Sequence, residues 1–334
     1  MNTIVIAIPR FALSGGNLVS LEIAKFLEKK GYLVYIHSGF KKEKIHNVEL
    51  IRYKRGLLNT FLNLLSFINL SCYGLFDNNY IATHHLTSLF NFIKPVKFAL
   101  VQDDESKFYP EKLKLVGCLL WNNYLKARTL IFTNKYLAFK IKPDFKNITG
   151  FAYIESMDSR VVSKRPADDK ECSKAMMILR DGKYKGFKQT FELFEYLNDN
   201  NIPTLLINQS RNKIVTRHLH MVREGLPRNE FMELMNKVDY FICLSEWEGL
   251  GLPNFEAFSL GVKIISTEIP SALIINEVSP ESISFETEFL RIKEIIETGS
   301  LSNNGLQASF LQNENYAWLE YVYRLIDTEL NYAG

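Results

Sequence analysis

Val238-Asp-Tyr-Phe-Ile-Cys-Leu244 runs directly into Ser245-Glu-Trp-Glu-Gly-Leu-Gly-Leu-Pro-Asn-Phe-Glu-Ala-Phe-Ser-Leu-Gly261, and that into Val262-Lys-Ile-Ile-Ser266. The first and last runs are short and apolar, the pattern of strands buried on both faces of a parallel sheet. Between them, Pro253 suits the first turn of a helix, where its missing N–H costs nothing, and Gly261 suits the position just past the helix end. The stretch therefore reads as strand, loop, helix, strand. Glu248 falls in the loop and Glu256 in the first helical turns, both at the carboxyl end of a sheet strand, where open α/β sheets bind ligands.

The residue types of the loop suggest its chemistry. Gly249 and Gly251 lack a Cβ, so a ligand can approach the main chain, and the amides opening the helix form a partial positive end suited to phosphate. Carboxylates beside an anion site repel phosphate. They suit hydrogen bonds from a polyhydroxylated ligand, with one acid available for a sugar and one for a ribose. A plainer account fits the same residues: Glu256 complements a helix dipole and the glycines shape a turn.

The Glu-x7-Glu spacing within EGLGLPNFEAFSLGVKIIST, residues 248–267, resembles the donor-site signature of retaining GT-B glycosyltransferases, the large group 1 family. Phe258, Val262 and Lys263 depart from the family's usual small or proline residues, and none of them is a functional group there. The resemblance implies an α/β chain of GT-B fold, two Rossmann-like doubly wound parallel-sheet domains facing a cleft. It implies a nucleotide diphosphate sugar as donor, with no cofactor and no required metal. Glu248 would contact the donor sugar and Glu256 the nucleotide ribose, within a donor loop that includes Gly249, Leu250, Gly251 and Leu252.

Arg180-Asp-Gly-Lys-Tyr-Lys185-Gly186 follows the apolar run Ala175–Leu179 and so also sits at a carboxyl edge. Cleaving a nucleotide sugar leaves a diphosphate whose charge a metal or two cations must neutralise. Arg180 and Lys185 supply two, and the segment resembles the family's Arg-x4-Lys-Gly element that holds the donor phosphates. Gly15 and Gly16, opening a helix after the strand Thr3–Ile8, could cradle a diphosphate with backbone N–H groups, or simply allow a tight strand-helix turn. The resemblance makes them the family's N-terminal glycine loop.

On the acceptor side, Gln102-Asp103-Asp104-Glu105 follows the strand Lys97–Val101, with Phe108-Tyr109-Pro110 beyond. Many family members carry a His that touches the transferred sugar where this chain has Gln102. The pattern is similar to segments of some bacterial rhamnosyltransferases. Asp103 could position the acceptor hydroxyl, or serve as general base if configuration were inverted; the acids could equally belong to an exposed loop or a helix start. His84 and His85 end the strand Tyr80–Thr83 and could meet a sugar or phosphate, or merely cap the loop.

The 334 residues are 47% hydrophobic and 23% charged, enough for two cores. A net charge of +3 gives no reason to invoke nucleic acid, and a pI near 8.4 allows loose attraction to an anionic membrane face. Cys72, Cys118, Cys172 and Cys243 lack metal-ligand spacing and fit a reducing cytosol. No charged n-region with a cleavage site precedes the first strand, so a secretory signal is not expected. The longest apolar stretch, Leu57 to Phe76, is interrupted by Asn59, Asn63, Ser66, Asn69 and Ser71, too often for a comfortable membrane span. It reads as an amphipathic helix packed on the core, with a surface helix dipping into lipid as the alternative.

Strand and helix patterns alternate throughout, and the expected organisation is a first domain over 1–155, a charged linker over 156–174, a donor domain over 175–313, and an aromatic helix over 314–334 crossing back to the first domain. The resulting expectation is a cytosolic, metal-independent glycosyltransferase, retaining, with a saccharide or lipid-linked oligosaccharide acceptor in bacterial surface polysaccharide synthesis. A GT-B-fold epimerase or phosphorylase and a silent GT-B-like partner subunit are the rival readings. Oligomeric state leaves no signature in the sequence.

Overall fold

The structure, a computed structural model, describes residues 2–11, 14–50, 57–145, 148–154, 173–302 and 307–331. The expected linker therefore lies almost wholly outside the described residues. The chain forms two compact units, Met1–Ile154 with Asn313–Gly334, and Glu155–Gln312.

The first unit runs β1 (Thr3–Ala7), α1 (Gly15–Lys29), β2 (Leu33–His37), β3 (Lys42–Lys44), α2 (Leu57–Phe76), β4 (Tyr80–Ala82), β5 (Phe98–Val101), α3 (Lys114–Tyr124), β6 (Thr129–Phe132) and α4 (Lys135–Ile141). The second runs β7 (Ala175–Leu179), α5 (Phe187–Asp199), β8 (Thr204–Asn208), β9 (Val222–Glu224), α6 (Arg228–Asn236), β10 (Tyr240–Cys243), α7 (Leu252–Ser259), β11 (Lys263–Ser266), α8 (Pro270–Val278), β12 (Ile283–Phe285) and α9 (Phe289–Thr298). The last helix, α10 (Gln307–Asn331), packs from Asn313 onward into the first unit. Its Trp318 is fully buried and donates from Nε1 to the Phe132 carbonyl at 2.9 Å, and Tyr32 donates to Asp327 at 2.6 Å.

The two sheets share one strand order. Their strand orders are β3-β2-β1-β4-β5-β6 and β9-β8-β7-β10-β11-β12, with every pairing parallel except β2 with β3. This is the doubly wound order in which the chain starts at the centre, builds one half outward, then returns to build the other. The order reverses between β1 and β4 in one sheet and between β7 and β10 in the other. Loops leaving the carboxyl ends of those strands diverge to opposite faces and leave a crevice, the place where such sheets take ligands.

Burial explains why apolar runs rather than alternating ones marked the strands. In β7 all five residues are buried, with Ala175, Met177 and Leu179 packed toward Leu193, Phe194 and Leu197 of α5 and Ile292 and Ile296 of α9. Met176 and Ile178 point to the opposite face of the pleat and are buried too, as a sheet covered by helices on both sides requires. Each such side chain contributes about 1.5–3 kcal/mol of transfer free energy.

One expectation is corrected. α2 is a helix over the expected residues, but it is not packed on the core through its large apolar side chains. Leu70 is fully buried, with Ser66 and Ser71 nearly so, whereas Phe61, Leu62, Leu64, Leu65, Ile68 and Phe76 are exposed. Among the described residues, no helix is long and apolar enough to cross a membrane. Cys72, Cys118 and Cys243 are free thiols.

Candidate functional site

The second unit's crevice is assembled from two loops that leave adjacent strands. β7 and β10 pair with Tyr240 opposite Ala175 and Ile242 opposite Met177, so Arg180, just after β7, comes level with Ser245, just after β10. The loops are clasped together. Gly186 takes the left-handed conformation at φ +66°, and a Cβ there would lie 2.1 Å from the Leu244 carbonyl oxygen, so only glycine permits the approach. The Trp247 N–H also donates to the Tyr184 carbonyl, at 3.3 Å.

The result brings Arg180, Lys185 and Glu248 into one cluster. Arg180 donates from Nη2 to one carboxylate oxygen of Glu248 and to Ser245 Oγ, the latter at 3.3 Å. Lys185 Nζ donates to the other oxygen at 2.5 Å, and Ser245 Oγ donates to the first at 2.9 Å. Burial by itself would push the Glu248 carboxyl up, but the Arg180 and Lys185 charges overcome it and hold the group below the usual carboxylate range. One carboxylate thus spans two cations, the arrangement a phosphate oxygen pair would also satisfy. Arg180 Nε is buried and has no hydrogen-bond partner in the structure.

Glu256 projects from α7, whose start follows from local sequence. Gly251 precedes it at φ +89°, Pro253 occupies the first turn, and Gly261 follows it at φ +76°. Glu256 is buried and held by Arg228, the first residue of α6, through both guanidinium nitrogens, Nη1 at 3.2 Å and Nη2 closer. Its charge also contributes to the field at Arg180, which places the two acids in one electrostatic neighbourhood. Gly249, Leu250 and Gly251 are buried, and Leu252 is partly so. For Gly251 the need for glycine is internal: a Cβ would meet Ser271 Oγ at 2.5 Å and Ile269 Cδ1 at 2.8 Å.

The first unit gathers the other expected residues at its own sheet edge. Gly15 and Gly16 open α1 behind the N-cap Ser14, which accepts from the Asn17 N–H at 3.3 Å. A Cβ on Gly16 would stand 3.0 Å from Gln102 Oε1, so the glycine admits Gln102, whose Nε2 donates to the Thr83 carbonyl at 3.3 Å. Gln102 Oε1 is itself buried with no partner. Asp103 accepts from the Asp104 N–H at 2.8 Å and so serves the turn that starts there.

The buried acid in that segment is Glu105, which sequence reasoning had not singled out. One of its oxygens accepts from the His85 main-chain N–H at 2.6 Å and bonds His85 Nδ1 at 2.6 Å, while His85 Nε2 meets the Tyr109 hydroxyl at 2.6 Å. With Nδ1 facing a carboxylate, His85 carries its proton there, and the tyrosine donates to Nε2. His84 Nδ1 accepts from the Leu86 N–H at 3.1 Å, and its ring stacks between Phe67 and His85. Burial lowers the His84 pKa and would raise that of Glu105, but the two histidines reverse the latter and hold Glu105 low. His84, His85 and Glu105 each offer an atom within 4.8 Å of the others, the count a divalent cation needs. Those nitrogens are already engaged by Leu86, Glu105 and Tyr109, so the group reads as a closed hydrogen-bond network.

Sequence reasoning also missed Arg228. Its pairing with Glu256 spans 28 positions and no local spacing announces it. Glu105 and Tyr109 lay inside a segment already marked as chemically dense, and the signal that would have chosen Glu105 is burial.

Residues 162–277, which include Arg180, Lys185, Arg228, Glu248 and Glu256, match the family model described as glycosyl transferases group 1. No curated protein matches the sequence. Among solved structures, the sucrose-phosphate synthase from Thermosynechococcus elongatus is similar with a TM-score of 0.61 at 13% identity, over 100% of this chain and 98% of that one. WaaG, a glycosyltransferase involved in lipopolysaccharide biosynthesis, gives 0.58 at 16%, over 97% and 95%. A protein from Listeria monocytogenes described as a UDP-N-acetylglucosamine 2-epimerase gives 0.56 at 10%, over 98% and 96%. At such identities the likeness concerns the fold, and the fold is GT-B, with two Rossmann-like parallel-sheet units.

Proposed function

We propose that this protein is a glycosyltransferase that moves a sugar from a nucleotide diphosphate sugar to a hydroxyl of a saccharide or lipid-linked acceptor. The observation that carries the reading is the cluster of Arg180, Lys185 and Glu248 at the switch point of the second sheet. It lies within the segment that matches the group 1 family. In this reading the donor diphosphate takes over hydrogen bonds from Arg180 and Lys185, while Glu248 accepts from sugar hydroxyls and Glu256 from the ribose. As the bond between the anomeric carbon and the phosphate oxygen breaks, the two cations neutralise the charge growing on the diphosphate. The acceptor oxygen bonds the anomeric carbon on the face the diphosphate leaves, its proton passes to a departing phosphate oxygen, and configuration is retained. Two side-chain cations do the neutralising, so neither a metal nor a protein nucleophile is needed.

The segment from Gln102 to Pro110 supports a narrower version, a rhamnosyl donor used in bacterial surface polysaccharide synthesis in the cytosol. A thermal-shift panel of UDP-, GDP- and dTDP-sugars tests both levels, because a ligand that binds only the folded state raises the melting temperature. One nucleotide series is expected to stabilise the protein, and Arg180→Ala and Glu256→Ala are expected to lose both that shift and turnover. Normal turnover in both variants would show the site to be elsewhere. The epimerase relative in the same fold favours one second reading, which donor consumption without any acceptor would establish. A protein stabilised by none of the nucleotides would instead be a silent GT-B-like partner subunit.

A further inference from the structure

α2 wears its apolar stripe on the outside. Phe61, Leu64, Leu65 and Ile68 recur at the i, i+3, i+4, i+7 spacing that lines one helix face, and they are between 38 and 57% exposed. The inward attachment is made largely by polar groups. Ser66 Oγ lies 2.9 Å from the Pro9 carbonyl and 2.8 Å from that of Ser38. Ser71 Oγ donates to the Leu86 carbonyl at 3.0 Å and accepts from the Leu89 N–H at 3.0 Å. The Asn69 amide donates to the Gly39 carbonyl. An ordinary surface helix hides its apolar face and shows water its polar one; here the arrangement is inverted, and residues 57–76 contain no charged side chain at all.

α3 shows a second apolar face on the same unit. Its Leu115 and Leu119, one turn apart, are 74 and 62% exposed, and Lys112 and Lys114 at its start are exposed as well. Both helices pack on the segment between them: Asn123 of α3 donates to the Leu89 carbonyl at 3.0 Å while Ser71 of α2 holds the N–H of the same residue. Exposed apolar side chains grouped in this way cost water-ordering free energy unless something covers them.

We propose that these faces of α2 and α3 seat the protein on an anionic lipid surface. The charge distribution selects this occupant. The first unit carries 22 Lys and Arg against 14 Asp and Glu, whereas the second carries 18 against 23, an asymmetry hidden in the chain's modest total. A basic unit is attracted to anionic headgroups and repels a second copy approaching by the same face. Neither helix is long and apolar enough to cross the bilayer, so insertion is shallow and in the plane of the interface. The proposal stands apart from the donor chemistry, and its failure would leave that reading untouched.

Flotation of the full chain with vesicles tests it. Binding is expected to vesicles of phosphatidylcholine containing about one-third phosphatidylglycerol, to be much weaker with phosphatidylcholine alone, and to fall as salt is raised. The triple variant Leu64→Gln, Leu65→Gln, Ile68→Gln keeps good helix formers and exposed positions, so its melting temperature should hold while its vesicle affinity drops at least about tenfold. Unchanged affinity in the variant, or no binding to either vesicle, overturns the proposal. So does a wild-type dimer in light scattering that the variant dissolves, since the face would then be an interface between copies. The nucleotide shift of the variant, expected to equal that of wild type, separates loss of the lipid contact from loss of the donor site.

Discussion

At the residue scale, the site is a set of buried acids each matched by a cation. A carboxylate left alone in such surroundings costs several kcal/mol, so Glu248 and Glu256 persist because Arg180, Lys185 and Arg228 reach them. Arg228 is the informative case. Replacing it with Met should cost about 2–3 kcal/mol, because it strands the Glu256 carboxylate, whose side chain is 7% exposed, and solvent reaching the 40% exposed Arg228 position offsets only part of that loss. It should also weaken ligand binding, since an unrestrained Glu256 no longer presents its oxygens to a ribose. Calorimetry is expected to show weaker binding of the preferred nucleotide and an unchanged affinity for its 2′,3′-dideoxy form; equal losses for both would place Arg228 outside ribose recognition. Gly186→Ala tests the clasp: a Cβ driven into the Leu244 carbonyl at positive φ should destabilise the second unit by about 2–3 kcal/mol in urea unfolding. The acids at 248 and 256 and the cations at 180 and 185 were legible in the sequence because each sits in a recognisable loop or in the helix that directly follows one. Arg228, Glu105 and Tyr109 were not, because their meaning lies in partners that only packing supplies.

At the element scale, periodicity located the helices and long strands but said little about orientation or edges. The apolar spacing in α2 predicts a two-faced helix, and the natural assumption turns the leucines inward. The structure turns serines inward, since the loops after β1 and β2 and the turn at 86–89 present carbonyls and an N–H that need partners. Stability should therefore follow hydrogen bonds rather than hydrophobicity along this helix. Ser71→Val, which strands two partly buried main-chain groups, is expected to cost about 1–3 kcal/mol, whereas Leu64→Ser should stay within about 0.5 kcal/mol, both read by urea unfolding. The reverse order would mean that the leucines are covered in solution. The three-residue strands β3, β9 and β12 went unseen for another reason. β3 reads Lys-Glu-Lys and β9 Val-Arg-Glu, and all three lie at sheet edges, where charged residues and short length are usual and no apolar run forms.

At the scale of the whole molecule, two units share one strand order but differ in charge and in sensitivity to pH. The first unit holds two histidines whose pKa is lowered, His84 by burial and then by His85, and His37 by burial and then by Lys42. In the unfolded chain both take a proton near pH 6.5. Acid therefore favours the unfolded state: stability is complete above about pH 6.5 and declines as pH falls toward the folded values. Glu105, also held low, extends the loss below the ordinary carboxylate range, near 4.5, by the same sign. The melting temperature should accordingly drop between about pH 7 and pH 5, and His84→Asn, which can still accept from the Leu86 N–H, should flatten part of that slope. An unchanged slope would mean that His84 titrates normally.

What the sequence by itself determined was local: the alternation of strand and helix, the loop and helix carrying the Glu pair, and the Gly and Pro positions that end or start each element. Those follow from neighbouring residues, whose periodicity and backbone preferences need no distant partner. Tertiary structure decided which residues meet. Arg180 reaches Glu248 across 68 positions because β7 and β10 pair where the sheet order reverses. It also decided which face of α2 is turned to water, because a helical period defines two faces and only the groups waiting beneath the helix choose between them.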